Sequence, residues 1–323
     1  MEYRVVTVAG GLTSGFVDAM GEKAKFNRPN GIAISRQGSV FIADFGNSAI
    51  RRVSVIGEVT TIAGGKATKT FQDGLAPLAA FLNPRGLVFD NDGNLYIADF
   101  GNNLIRQIDG NLEVTTLAGS GAKSQSDGAG RAASFVEVRD VAYHSGYIFA
   151  VDRYQVRRIS RTGSVVTWAG GTESGLWDGV GVQARFGTLS AIATDTVGNL
   201  YVVDADNSAI RYITQLQKVG TLAGADITPA DGSNTFLQQP TSVALDSMGN
   251  CWVTDVGDYT VKKITPQGVI TQVAGCLTPG HEDGPALQAK FQHPAGIALS
   301  PDGRIYVTDL ATHCLRCLIP ITS

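Results

Sequence analysis

The stretch VFIADFGNSAIRRV, residues 40–53, contains two short runs of alternating apolar residues on either side of a glycine-bearing turn. This pattern predicts a β-hairpin, because alternation with a period of two places one face of each strand in a core. Asp44 ends the first run and Arg51 lies in the second. An acid and a base that face each other across a hairpin indicate either a reactive pair or an ion pair that holds the two strands in register.

The same stretch recurs along the chain. Related segments are LYIADFGNNLIRQI (95–108), IFAVDRYQVRRI (148–159), LYVVDADNSAIRYI (200–213), CWVTDVGDYTVKKI (251–264) and IYVTDLATHCLRCL (305–318). The aspartates of successive copies are 55, 53, 52, 51 and 54 residues apart. Periods of about 50 residues are typical of repeat architectures, in which every copy is one supersecondary unit.

Each copy contains four predicted strands, which we name a to d in chain order. Strand b ends at the aspartate, strand c carries the IRR-like run, and strand d ends in Ala-Gly. Four antiparallel strands repeated six times predict an all-β fold, a six-bladed β-propeller of four-stranded antiparallel blades.

The predicted propeller is a single domain that covers residues 1–323. Its repeats are expected at approximately 24–65, 79–120, 133–171, 184–225, 234–276 and 289–319. The N-terminal residues 1–11 match strand d, whereas the last copy lacks one. We therefore expect residues 1–11 to be the outer strand that completes the last blade, in a 1 + 3 closure that removes the open edges of the ring.

The segments between strand d and the next strand a are long, because the chain must cross from the outer edge of a blade to the axis, roughly 14 Å. An aspartate recurs in these crossing loops, at Asp18, Asp73, Asp127, Asp178, Asp231 and Asp283. A phenylalanine also recurs, at Phe26, Phe81, Phe135, Phe186, Phe236 and Phe291. We expect each phenylalanine to wedge between adjacent blades.

Composition excludes few classes of partner. The 323 residues carry a formal net charge of −3, so no strong overall field points to nucleic acid or to an acidic membrane. No stretch approaches the ~18 apolar residues of a membrane span, and membrane insertion is not expected. The four cysteines lack the spacing of a disulfide framework and are expected to be ordinary thiols. The compartment stays open.

The sequence elements resemble those of a known repeat family. Along a copy, Ala-Gly-Gly is followed by Asp-Gly, by Ala-x-Phe-x-x-Pro-x-Gly-Ile-Ala and by Gly-Asn-Leu-Tyr-Ile-Ala-Asp-x-Gly-Asn-x-x-Ile-Arg. This order resembles the NHL-repeat family, closely in residues 24–53 and 79–108 and recognisably in all six copies. The resemblance implies a six-bladed propeller. It does not choose a function, since NHL-type propellers include RNA-binding regulators, extracellular adhesion and sensor domains and a zinc-dependent peptide-amidating lyase.

An enzyme of the lyase or lactonase type would need a metal site. Of the four histidines, only His281, His293 and His313 are expected on one face, where they could meet. An axial cation needs several oxygen ligands, whereas the starts of the inner strands offer one carboxylate, Asp140. The six strand-b aspartates lie about 10 Å apart across blades and cannot share one ion. We therefore predict no catalytic residue, no metal and no cofactor.

The recurrent acid–base pairs are interpreted as a structural clamp. The predicted pairs are Asp44 with Arg51, Asp99 with Arg106, Asp152 with Arg157, Asp204 with Arg211, Asp255 with Lys262 and Asp309 with Arg316. The partners are seven residues apart in five copies and five apart in the third, and both spacings keep them on one face of the hairpin. Pairing in every copy is what a cross-strand brace requires.

Specific function is expected where the copies differ. The crossing loops and the b–c turns share one end of the blades, which we call the top face. The candidate binding residues on it are Phe45, Arg85, Phe100, Arg139, Asp140, Arg153, Tyr154 and Tyr259. Arginines beside aromatic rings suit a peptide or single-stranded RNA. The sequence favours a non-catalytic scaffold, a monomer as an isolated domain, that binds a protein or peptide. RNA on the same face is the second possibility, and a metal-dependent lyase or lactonase-type hydrolase is the third.

Overall fold

Six antiparallel sheets form the blades of a propeller in the computed structural model, which describes residues 2–65, 71–224 and 236–321. In every sheet, strands a, b, c and d are hydrogen-bonded in that order. The strands a of neighbouring blades contact one another all the way around the axis. The predicted all-β, six-bladed fold is confirmed.

Each of the strands a to d occurs once per blade, in order from blade 1 to blade 6. Strand a spans Pro29–Ile34, Leu87–Phe89, Val138–His144, Leu189–Thr194, Pro240–Leu245 and Pro294–Leu299. Strand b spans Val40–Asp44, Leu95–Asp99, Tyr147–Asp152, Leu200–Asp204, Cys251–Asp255 and Ile305–Asp309. Strand c spans Ala49–Val53, Leu104–Ile108, Gln155–Ser160, Ala209–Ile213, Thr260–Ile264 and Cys314–Ile321. Strand d spans Val59–Gly64, Glu113–Ala118, Ser164–Ala169, Lys218–Gly224, Ile270–Gly275 and, for blade 6, Glu2–Gly10.

The remaining described elements are short and lie in the turns and crossing loops. The 3-10 helices span Gly21–Lys23, Phe45–Asn47, Phe100–Asn102, Gly130–Ala132 and Gly181–Gln183. In blade 6, the N-terminal strand Glu2–Gly10 pairs antiparallel with Cys314–Ile321, with Tyr3 opposite Pro320.

Four blades contain a fifth strand that the four-stranded prediction did not include. These two-residue strands are Gly74–Leu75, Gly128–Ala129, Gly179–Val180 and Gly284–Pro285, in blades 2, 3, 4 and 6. Each follows directly after the crossing-loop aspartate and pairs with the outer strand of the blade that the loop leads into. The loop therefore covers part of the outer edge, which would otherwise present unpaired backbone groups to solvent.

The Ala-Gly that ends strand d marks a bulge and a close backbone approach. In blade 1 the pairing of strands c and d shifts register between Ile50 and Arg51. Gly64 then has a φ of +80°, and a Cβ at this position would overlap the carbonyl oxygen of Ser48. The equivalent glycine of every other blade meets the carbonyl before its own strand c in the same way. Only glycine satisfies both conditions.

Buried phenylalanines fill the spaces between blades, as predicted for five of the six copies. Phe26 packs among residues of blades 6 and 1, including Leu315 and Ile42. The equivalent residues Phe81, Phe135, Phe186 and Phe291 are also fully buried.

The prediction for the fifth copy was wrong. Phe236 is 49% exposed, and Leu237 is the buried residue that packs between blades 4 and 5. Leu237 precedes Pro240 by the same three residues that separate Phe26 from Pro29, so the wedge position in this copy holds a leucine. Phe236 lies one position before the wedge position of this copy.

Candidate functional site

The top face surrounds the mouth of an axial cavity of about 670 Å3. The six inner strands form its wall, and their apolar side chains line it below the mouth: Ile32, Leu87, Val141, Ile192, Val243 and Ile297. Polar groups come from the first residues of these strands and the residues just before them: Arg28, Asn30, Arg85, Arg139, Asp140, Ser190, Thr241 and His293. The cavity thus has a polar, mainly cationic mouth above apolar walls.

Three arginines and two phenylalanines alternate along one side of the mouth, and we call them the Arg–Phe stack. The guanidinium carbon of Arg28 lies 5.6 Å from the ring centroid of Phe45. That of Arg85 lies 5.4 Å from Phe45 and 4.2 Å from Phe100. That of Arg139 lies 5.9 Å from Phe100. The sequence pointed to four of these residues but not to Arg28, which lies just before the inner strand of blade 1.

Arg85 is the central member of the stack and has no acceptor among the residues that the structure describes. Its Nε is buried and makes no hydrogen bond within the described part of the chain. Burial and the neighbouring charge of Arg139 lower the pKa of Arg85 to about 10, against a smaller opposing effect of Glu137. The fold therefore holds guanidinium groups together although they repel one another. Arg139 is partly neutralised, because one terminal nitrogen donates to Glu137 at 3.1 Å.

Asp140 is the one carboxylate that projects from an inner strand into the cavity among the described residues. Its two oxygens accept the backbone N–H groups of Val141 and Ile192, each at 2.9 Å, which ties blade 3 to blade 4. A Cβ on Gly86 would overlap the Asp140 side chain, so blade 2 needs glycine here. Burial within the ring raises the pKa of Asp140 to about 7, despite the two N–H donors that lower it.

The other top-face candidates do not join the stack. Arg153 is exposed and lies 4.6 Å over the ring of Tyr154, within the same turn of blade 3. Tyr259 is half-buried in the b–c turn of blade 5, with a φ of +62°. None of these three residues lines the axial cavity. The structure therefore divides the blade 2 and blade 3 candidates into two groups, those at the cavity mouth and an outer Arg–Tyr pair.

The clamp is a three-part arrangement, which blade 1 illustrates. Fully buried Arg51 donates from Nη1 to Asp44 at 2.8 Å and from Nη2 to Asp18 at 2.5 Å. Asp18 in turn accepts the backbone N–H of Thr61 on strand d at 2.8 Å. One guanidinium thus joins strands b, c and d to the crossing loop. The second carboxylate was visible in the sequence only as a recurrent loop residue, and its partner was not foreseen.

The arrangement repeats in blades 2, 3 and 4. The contacts are Arg106 with Asp99 (3.0 Å) and Asp73 (2.7 Å), Arg157 with Asp152 (3.0 Å) and Asp127 (2.8 Å), and Arg211 with Asp204 (3.1 Å) and Asp178 (2.7 Å). Each clamp arginine also lies about 5 Å from the ring of its wedge phenylalanine. Together these contacts connect the acid–base pair to the packing between blades.

Blades 5 and 6 vary the clamp. Lys262 contacts Asp255 at 2.7 Å and also Asp258, which occupies the turn position held by Asn47 in blade 1. The loop aspartate of this copy, Asp231, lies outside the described residues.

In blade 6, Arg316 forms an ion pair with Asp283 at 2.6 Å. Arg316 and Asp309 both lie in the described part of the chain, but they make no direct ion pair there. Asp309 instead accepts four backbone N–H groups, one of them from Thr312. Thr312 stands where Asn47 stands in blade 1 and has no amide to hold the carboxylate towards the arginine.

The histidines that could have formed a metal site make separate contacts. His281 lies beside Thr7 and the buried Cys314, the His313 ring accepts the backbone N–H of Arg28, and His293 lines the axial cavity. Among the described residues, no group of three or more potential metal ligands is present. Burial raises the pKa of the Cys314 thiol to about 12, so Cys314 is an inert core thiol rather than a nucleophile.

The NHL-repeat sequence profile matches residues 26–52, 81–108 and 291–318. Protein SUPPRESSOR OF QUENCHING 1 of Arabidopsis thaliana is 30% identical over 78% of this chain and 26% of its own length. NHL repeat-containing protein 2 of Gallus gallus is 26% identical over 90% of this chain and 46% of its own length. Teneurin-3 of Mus musculus is 24% identical over 90% of this chain and 12% of its own length. The chain thus spans less than half the length of each of these relatives.

Solved structures share the fold at low sequence identity. A structural-genomics protein of unknown function from Bacteroides thetaiotaomicron superposes with a TM-score of 0.75 at 19% identity, covering 98% of this chain and 75% of that one. A gluconolactonase from Xanthomonas campestris superposes with a TM-score of 0.64 at 13% identity, covering 98% of this chain and 89% of that one. A virginiamycin B lyase from Staphylococcus aureus superposes with a TM-score of 0.60 at 13% identity, covering 99% of this chain and 100% of that one.

The structure also bears on membrane association, since none of its described helices is long and apolar enough to cross a bilayer. Repeat order, blade geometry and the family match agree with one another. The chain contains NHL repeats, matched in blades 1, 2 and 6, and folds as a six-bladed β-propeller.

Proposed function

We propose that this propeller is a non-catalytic scaffold that binds a protein or peptide segment on its top face. The Arg–Phe stack is the observation that supports this most directly. Arginine and aromatic side chains that line a cavity mouth resemble the anchor residues of protein interfaces. The clamp arginines, by contrast, already have three or four carboxylate and carbonyl partners each, so their terminal nitrogens are not available to a ligand.

The distribution of charge favours a polypeptide over RNA. The cations of the mouth come from blades 1 to 3, whereas blade 4 places the exposed Asp206 in its top-face turn. An RNA strand needs a basic groove that follows several phosphates, with bases stacked along it. One local cationic patch beside acidic and neutral turns fits a single anionic group of a peptide better.

Catalysis is not part of the proposal. Both oxygens of Asp140 already accept backbone N–H groups, so this carboxylate is held in a structural role. The likeness to a gluconolactonase and to a virginiamycin B lyase concerns the fold, and a propeller fold supports many activities.

A quantitative capture experiment tests the proposal. Wild type and an Arg139→Glu/Tyr154→Ala variant would be immobilised and exposed to extract of cells that express the protein, and retained proteins compared by mass spectrometry with and without nuclease. We expect the double variant to lose partners that the wild type retains. The matched control is Arg36→Glu/Met248→Ala, which changes exposed residues in the a–b turns of the opposite face.

The outcomes separate the hypotheses. Loss in the top-face variant and retention in the control would support the proposal. Equal recovery by both variants would overturn the top-face assignment. Partners that disappear after nuclease treatment would favour RNA binding instead.

A further inference from the structure

We propose that the Arg–Phe stack binds a carboxylate, and that this carboxylate is the free C-terminus of a peptide whose last side chain enters the axial cavity. The inference rests on the proposed function, because it names the part of a bound peptide that the top face recognises. It follows from the contacts of Arg85, the local balance of charge and the lateral enclosure of the cavity by the inner strands.

Arg85 presents its donors in a geometry suited to carboxylate. Phe45 and Phe100 both contact it, with their ring centroids 5.4 and 4.2 Å from the guanidinium carbon. Two rings in contact restrict the guanidinium, and its N–H groups have no acceptor among the described residues. A planar guanidinium binds a carboxylate through two parallel N–H···O bonds, and holding it rigid in advance lowers the entropic cost.

The charges around the mouth fit one anionic group. Arg28, Arg85 and Arg139 bring three positive charges into the stack, and Glu137 compensates one of them at Arg139. Repulsion among the arginines already contributes to the lowered pKa of Arg85. A bound carboxylate would relieve this repulsion. Its binding would therefore gain from a charge imbalance that the empty fold maintains.

The shape of the mouth favours a chain end over an internal acidic residue. The six inner strands surround the cavity laterally, so a peptide reaches its wall only along the axis, and an internal segment would have to pass along that axis on both sides of the bound residue. A C-terminal residue needs only one passage. Its side chain would contact the apolar wall that includes Leu87, Val141 and Ile192, in a volume of about 670 Å3 that is ordinary for ligand sites.

The test uses peptides with defined ends. A library of random octapeptides with free C-termini would be screened against the whole chain, and selected sequences resynthesised with free and with amidated C-termini for fluorescence-polarisation titration. We expect selected peptides to share an apolar last residue and amidation to weaken binding at least tenfold. Acetate, succinate and inorganic phosphate would be titrated separately by calorimetry.

Two variants connect the effect to the stack. Arg85→Gln should weaken the affinity for the peptide with a free C-terminus at least tenfold and leave the affinity for the amidated peptide nearly unchanged. Arg131→Gln is the matched control, because Arg131 also stacks on a phenylalanine, Phe71 at 5.0 Å, but lies outside the cavity mouth. We expect the Arg131→Gln variant to bind the peptide with a free C-terminus as tightly as wild type does. Circular dichroism of both variants would show that the blades remain folded.

Each alternative result has a defined meaning. Equal affinity for free and amidated peptides, with loss of both in the Arg139→Glu/Tyr154→Ala variant, would overturn the carboxylate inference and leave the proposed function intact. Tight binding of succinate without any selected peptide would overturn the peptide as the source of the carboxylate. Tighter binding of phosphate than of any carboxylate would overturn the ligand class. Peptides that bind equally to all variants would contradict the proposed function itself.

Discussion

Two groups of arginines in this propeller have opposite surroundings. The clamp arginines, of which Arg106 is an example, are fully buried, and Arg106 contacts Asp99, Asp73 and two backbone carbonyls. Arg85 at the axial mouth contacts two aromatic rings and no acceptor among the described residues. The Nε atom lacks a hydrogen bond in both arginines, so the difference lies in the terminal nitrogens. The side chain is the same, but the first group recurs from blade to blade and the second is confined to one side of the mouth.

Under the proposed function, this difference separates residues that hold the fold from residues that bind a partner. A buried guanidinium is stabilising only if nearly all of its charge and donors are matched within the protein. A half-buried guanidinium without a partner carries a free-energy cost that a ligand would remove.

Arg106→Leu should be the most damaging substitution. It leaves the buried carboxylate of Asp99 without its cation and deprives Asp73 of its strand-c contact. Removing one member of a buried ion pair typically costs about 3–5 kcal/mol of unfolding free energy. Urea denaturation followed by circular dichroism, with the slope compared to that of wild type, measures the loss.

The control for this change is Arg131→Gln. Arg131 also reaches Asp73, at 3.5 Å, but its side chain is 52% exposed, so the expected loss is below about 0.5 kcal/mol. If Arg106→Leu cost no more than Arg131→Gln, the clamp would not be a structural element.

Arg211→Lys should have an intermediate effect. A lysine could keep the contact with Asp204, as Lys262 keeps Asp255 in blade 5. Its single nitrogen could not also reach Asp178 and the carbonyl of Trp177, which Arg211 contacts with its second terminal nitrogen. We expect a loss of about 1–3 kcal/mol in urea denaturation, because a charge-assisted hydrogen bond to Asp178 and a partly buried one to the Trp177 carbonyl are both lost.

The same exchange at an exposed site is the control. Arg161 also contacts two carboxylates, those of Asp90 and Asp92, but its side chain is 45% exposed. Arg161→Lys should change the unfolding free energy by less than about 0.5 kcal/mol. Similar losses at Arg211 and Arg161 would mean that burial does not distinguish the clamp.

The fold was largely predictable because its signals are periodic. Six copies of a hairpin at near-constant spacing determine blade number and strand order, and each glycine of the Ala-Gly marker has the same geometric cause. The errors arose where one copy departs from the period. Phe236 was chosen by residue type, whereas the position relative to Pro240 identifies Leu237 as the buried wedge. The fifth strands were missed because two residues carry no recognisable strand pattern.

The candidate site was less predictable for a physical reason. Strand order places Arg85 and Arg139 at the start of neighbouring inner strands, and this much followed from the sequence. Whether two side chains stack depends on rotamers and loop paths, which periodicity does not encode. The second carboxylate of each clamp illustrates this: Asp18 is 33 residues from Arg51 in the chain, yet the two form an ion pair.

Asp140 should give the protein a measurable pH dependence. Its pKa in the folded state is about 7, above the ordinary 3.8, so the folded state binds the proton more tightly than the unfolded state. The contribution of Asp140 to stability therefore falls as pH rises from about 4 to about 7 and is constant above that range. Because the side chain faces an open cavity, we expect a change of about 1–2 kcal/mol, less than the full shift implies.

Asp140→Asn tests this sign. The difference in unfolding free energy between wild type and variant, measured by urea denaturation at pH 4.5, 6 and 7.5, should move in favour of the variant as pH rises. The absolute offset also contains the loss of one hydrogen bond, since an amide cannot accept the N–H groups of both Val141 and Ile192. A difference that does not change with pH would show that Asp140 stays ionised throughout, and that the surrounding inner strands do not desolvate it.

Arg85→Gln should have the smallest effect on folding, although it is the change that should matter most for binding. The variant loses its stacking on Phe45 and Phe100, about 0.5–1 kcal/mol each, but it also removes the repulsion from Arg139 and Arg28. We expect a net change below about 1 kcal/mol in urea denaturation. Added salt should stabilise wild type more than the variant, because salt screens a repulsion that only wild type retains in full. A loss above about 2 kcal/mol, with no difference in salt response, would place Arg85 with Arg106 among the residues that hold the fold, and the distinction between the two groups of arginines would be lost.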